Sequence, residues 1–178
     1  MFGLGKKSKP ALAQRIRELS VEAAEQFHEY LKEDSVIYSK CININPIKNT
    51  GALFMMNIYR DMLNSKYNAD DVFVVINTAV FASAPDRKTG ELFWHTLMDY
   101  MKSCNQSIEY YRQFSVPNIP DVLTKVFFSL VIDDRAFLQN ELEGMIQESV
   151  SYRKIYNYIS GLMKNRVLLN ESYNLRLK

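Results

Sequence analysis

Apolar positions crowd most densely between Asp70 and Pro85, where DDVFVVINTAVFASAP has only Asn77, Thr78 and Ser83 as interior polar side chains. Such a segment has to be wrapped by neighbours, and about fifteen residues fall short of the roughly 20 that span a bilayer. Val72 to Ile76 alone has the β-branched and aromatic run of a buried strand. The flanks decide for helix. Asn68, followed three residues later by Asp71, has the form of a capping box, and the two acids face the positive end of the helix dipole. Pro85 ends the segment. Residues 69–84 therefore read as the buried central helix of an all-α, single-domain irregular bundle of about five to seven helices.

The same periodicity organises the rest. Residues 1–9 read as a flexible basic arm, and Pro10 suits the first turn of a helix running to about Asp34, with Leu12, Ile16, Leu19, Ala23, Phe27 and Leu31 inside and five glutamates outside. From Ser35 to Asn49 the period changes. Ile42-Asn-Ile-Asn-Pro46 alternates apolar and polar, which predicts a packed loop or an isolated edge piece. A second helix is expected from Thr50 to about Tyr67. Beyond the turn at Pro85–Gly90, Phe93, Leu97, Met101, Cys104, Ile108 and Tyr111 mark one face of a long fourth helix, and a short apolar fifth covers Val122 to Ile132 behind Asn118. Leu138, Leu142, Met145, Ser149, Tyr152, Tyr156, Ile159 and Met163 then step by four and three, predicting one continuous C-terminal helix, 134–165. The bundle domain spans 10–165, and 166–178 is left as a basic tail.

Composition adds limits. Apolar residues at 47% and only six glycines and five prolines suit a helical core, and a chain of 178 residues needs no disulfide or metal to hold it. Cys41 and Cys104 have no partner motif, and no secretory h-region follows the first lysines, so a soluble, cytoplasmic protein is expected. The net charge of +2 hides an asymmetry: residues 1–17 carry +5 and residues 150–178 another +5, which leaves −8 for the body. The basic ends suit either an anionic partner or a return onto the acidic body.

Candidate chemistry is sparse. Glu25-Gln-Phe-His28 has the Glu-x-x-His spacing of di-iron carboxylate bundles, but no second pair exists. Glu91, His95 and Asp99 form one stripe of the fourth helix, so these five residues are the only metal-ligand candidates, and no cofactor is expected. Neither a nucleophile motif nor a phosphate-binding glycine loop is present. Lys6, Lys7, Lys9 and the C-terminal tail offer weak contacts for nucleic acid or a membrane surface. The 21 Tyr and Phe residues and eight Met point elsewhere, since these types are enriched where proteins meet. The favoured function is a non-catalytic helical interaction module, an adaptor, accessory subunit or regulator. Its expected contact surface, for a protein partner or a second copy, is Tyr152, Tyr156, Ile159, Met163 and Leu168 on the last helix and the segment after it. A metal-dependent bundle enzyme and a nucleic-acid-associated protein are the alternatives.

Overall fold

The computed structural model describes residues 8–42, 44–132, 148–170 and 173–178. Among them the chain forms seven α-helices and no strand: α1 (Lys9–Lys32), α2 (Ser35–Lys40), α3 (Ile44–Asn64), α4 (Ala69–Ala82), α5 (Arg87–Arg112), α6 (Ile119–Val131) and α7 (Val150–Asn165). One 3-10 turn, Val167–Leu169, follows. No helix among the described residues is long and apolar enough to cross a membrane.

Short polar side chains set the helix starts. Ser8 accepts from the N–H of Ala11, Asn68 from Asp70, Asp86 from Thr89 and Ser149 from Tyr152, each satisfying a first-turn donor that has no partner inside its own helix. The helix expected at 69–84 thus stands where its cap placed it. It is not the innermost one. Val72, Val75, Ile76, Ala79 and Val80 are buried, but Phe73 is 53% and Val74 49% exposed, so α4 covers the core with one face only.

The innermost element is α3, which packs on α1, α4, α5 and α6. Leu53 to Tyr59 is buried without a break, the amide of Asn57 included. Close approach makes this possible. Gly51 lies against Ala24 of α1, where an added Cβ would stand 3.0 Å from the Ala24 Cβ and 3.2 Å from its Cα. Gly51→Val therefore forces the two helices apart and is expected to cost about 2 kcal/mol, a melting-temperature loss of roughly 4–8 °C readable by circular dichroism.

Aromatic rings tie the remaining helices to this centre. Phe127 of α6 sits 5.0 Å from Phe27 of α1 and 5.5 Å from Phe54 of α3, centroid to centroid. Phe27 also meets Tyr158 of α7 at 5.3 Å, and Phe128 meets Tyr152 at 5.5 Å. These are the spacings of edge-to-face and tilted pairs.

Three expectations change. Between Ser35 and Asn49 the chain is mostly helical: Asp34 caps α2 by accepting from Ile37 N–H, and α3 starts at Ile44 with Pro46 in its first turn, where a missing N–H costs nothing. Only a single antiparallel bridge, Cys41 with Ile132, keeps the extended character read there. Secondly, the helix expected at 134–165 does not run through Ser149, whose backbone is extended (φ −69°, ψ 150°) and whose hydroxyl caps α7. Its portion from 134 to 147, with Leu138, Leu142 and Met145, lies outside the described residues.

Thirdly, the described part of 166–178 is no solvated tail. Arg166 ends α7 in the left-handed region (φ 47°, ψ 39°), the one non-glycine residue there among the described residues, at a cost of roughly 1 kcal/mol relative to glycine. That turn brings Leu168 into the core. Further on, Tyr173 packs on Tyr67 with centroids 6.5 Å apart, Leu177 bridges Tyr67, and Asn68 N–H donates to the Arg176 carbonyl at 2.7 Å.

Candidate functional site

The five residues expected to form an interface on the last helix divide between core and surface. Tyr152, Ile159 and Leu168 are buried. Tyr152 donates its hydroxyl to the Asp121 carboxylate at 2.6 Å, and burial is the main reason that its pKa is raised. Only Tyr156 and Met163 retain partial exposure, and the Tyr156 hydroxyl accepts from the Asn118 amide at 3.3 Å. The apolar seam of α7 thus faces α6 and α1, and the contact surface drawn along it is replaced by a packed one. Periodicity locates such a seam without saying whether the bundle itself fills it.

The metal candidates are not gathered either. His28 is buried, with Nε2 3.1 Å from the Tyr38 hydroxyl; burial, aided by Lys32, lowers its pKa. Glu25 is an exposed residue of α1 near Lys48. On α5, Glu91 is exposed and accepts from Arg87 at 3.0 Å, while His95 and Asp99 face solvent. Among the described residues no three His, Cys, Asp or Glu side chains stand together as a metal site would require.

Charge at the basic ends is partly spent on the body. Lys9 of α1 donates to Asp71 at 2.7 Å, and Arg176 reaches the other carboxylate oxygen with its backbone N–H at 2.8 Å and its Nε at 3.3 Å. These bonds, the Arg176 backbone N–H foremost, hold the Asp71 carboxyl far below the usual carboxylate range. Lys6 and Lys7 lie outside the described residues.

The cysteines are equally committed. Burial pushes the Cys41 thiol up to about 11 and the Cys104 thiol up to about 12, so both are protonated and poorly nucleophilic at neutral pH.

What the bundle presents is a cleft between α4 and α5. Phe73 stands edge-on to Trp94 at 5.0 Å, and behind the pair an opening of 170 Å³ is walled by Ile76, Met98 and Met101. Arg60 and Asn64 of α3 form its polar floor. Arg60 donates through Nε to Asp61 at 3.0 Å, while the buried Asn64 Oδ1 accepts no hydrogen bond. Gly90 lets α5 close on α4 at one end, where a Cβ would meet the Phe81 ring at 2.6 Å, and further along the rings of Phe73 and Trp94 meet across the two helices.

The sequence did carry a signal for it. Val72 through Ile76 is too wide an apolar arc for one helix face to hide, so one or two of these side chains had to emerge. Compared with known proteins, the chain matches no family model, no curated protein and no solved structure.

Proposed function

We propose that this protein is a non-catalytic helical interaction module whose contact surface is the α4–α5 cleft. The observation that carries this reading is Phe73, half open to solvent and stacked edge-on against the partly buried Trp94 beside a cleft walled with thioethers. Phenylalanine and valine side by side on an exposed helix face, next to tryptophan, methionine and arginine, make up the residue set that anchors protein contacts. Methionine adapts its shape to an incoming side chain, and Arg60 offers donors to a carbonyl at the end of a partner helix. The cleft has room for one aromatic or aliphatic anchor of an amphipathic helix. Protonated thiols and scattered carboxylates support binding over catalysis.

The test replaces Val74 by a photo-crosslinking phenylalanine analogue in the full chain, in the cells that make it. One discrete adduct is expected, and Phe73→Ser should abolish it while shifting the melting temperature by no more than about 2–3 °C, because Phe73 is half exposed. The same analogue at Val150, an exposed position of α7, is the control. An adduct common to both sites, or one that survives Phe73→Ser, would overturn the reading.

A further inference from the structure

On the opposite side of α3 from α4, a second opening of 220 Å³ lies where α3, α5, α6 and α7 meet. Its walls are Ile58 and Met62 of α3, Ile108 of α5, Leu123 of α6 and Met163 of α7. Its polar rim is Asp61, Ser65 and Arg166. The rim charges are unequal. Asp61 is already paired with Arg60, and the Ser65 hydroxyl donates to the Met62 carbonyl at 2.6 Å. Among the described residues the Arg166 guanidinium has neither a hydrogen bond nor an ion pair. The left-handed turn at Arg166 is what keeps its side chain at this rim while folding Leu169 back as part of the same wall. An apolar cavity that carries at its mouth, among the described residues, one cation without an ion-pair partner matches an apolar chain with one anionic end.

We infer that this pocket is a binding site for a small carboxylate amphiphile, its alkyl chain between Met62 and Met163 and its carboxylate on Arg166. Size sets the chain length. A dry cavity of about 150 Å³ takes benzene, so this one takes roughly nine or ten non-hydrogen atoms, the size of an eight-carbon straight-chain acid with its head at the rim. Charge sets the headgroup, since the guanidinium fork matches a carboxylate with two parallel bonds.

The experiment follows the methyl signals of the eight methionines by NMR, in the intact protein, while sodium octanoate is added to about 5 mM, a range that detects millimolar binding. Met62 and Met163 should move, while Met55 and Met56, buried on α3 and outside the pocket wall, should not. Octylammonium, with the same chain and the opposite charge, should bind at least about tenfold more weakly. Arg166→Gly is the decisive variant: glycine suits the left-handed turn, so the melting temperature holds or rises, yet octanoate affinity should fall about tenfold. Static Met62 and Met163 signals at full octanoate, equal binding of octylammonium, or undiminished affinity in Arg166→Gly would each overturn the assignment.

Discussion

Replacing Asp71 by asparagine is expected to lower the melting temperature by roughly 10 °C and to loosen both ends of the described chain together. The substitution keeps shape and removes charge. Lys9 then loses its anion, and one carboxylate oxygen that accepted from Lys9 or from the Arg176 backbone becomes an amide donor facing a donor. The C-terminal segment keeps other contacts, among them Asn68 N–H to the Arg176 carbonyl, Lys178 N–H to the Lys66 carbonyl at 3.2 Å, the Tyr67–Tyr173 ring pair and the burial of Leu175, but its charge-assisted anchor is lost. Hydrogen exchange should therefore quicken at residues 173–178 before it does in α3. The pH dependence has a definite sign. The folded-state pKa of Asp71 is depressed, so its stabilisation is complete above the ordinary carboxylate pKa of about 4 and is lost as pH falls below that toward the folded value. Melts of the natural protein and Asp71→Asn should differ most at pH 5–7 and converge toward pH 2, within about that window. A gap that stays constant down to pH 2 would show that the carboxylate's charge is not what holds the ends.

That carboxylate also answers the charge asymmetry of the sequence. Basic ends and an acidic body were compatible with a foreign anion or with the ends turning back, and Lys9 and Arg176 turn back onto one aspartate of α4. The contact could not be read in advance, because it joins residues 62 and 105 positions apart and no local pattern marks it. Helix existence was legible for the opposite reason: Asn68 and Pro120 act within one turn of where they stand, although α5 starts at Arg87, inside the stretch Pro85–Gly90 read as a turn. Depth was not. Hydropathy put α4 at the centre because it counts apolar side chains, whereas α3 is innermost by virtue of Gly51 at its crossing with α1 and tolerates a buried Asn57. A four-and-three alternation passes through Ser149 undisturbed, since a serine that caps a helix and one inside it look alike in such a pattern. The candidate surface moved from α7 to α4 and α5 because an apolar stripe says only that something covers it. On α7 that something is α6 and α1.

Phe127→Ala should cost about 3–5 kcal/mol, a fall in melting temperature of roughly 10–15 °C and the largest expected for any single truncation in the described core. Phe127 is fully buried and is the ring that α1, α3 and the rest of α6 share, through Phe27, Phe54 and Phe128. Truncation removes its transfer energy and leaves a hole that three rigid helices cannot close, since Gly51 already holds α1 and α3 at contact. A domain of this kind has about 5–15 kcal/mol in total, so the variant remains folded but gives up a large share. Denaturant unfolding should show a lower midpoint at unchanged slope, the mark of lost stability without a change of unfolding cooperativity. The neighbour supplies the control. A Cβ at Gly51 would lie 3.9 Å from the edge of the Phe127 ring, so Gly51→Val and Phe127→Ala share the same space. The valine that forces α1 and α3 apart in the natural protein can lean into the hole left by alanine, and the double variant should lose less than the sum of the two, by about 1 kcal/mol. Strict additivity would mean that the aromatic cluster and the α1–α3 crossing are independent, and that Phe127 is not the side chain against which the central crossing is packed.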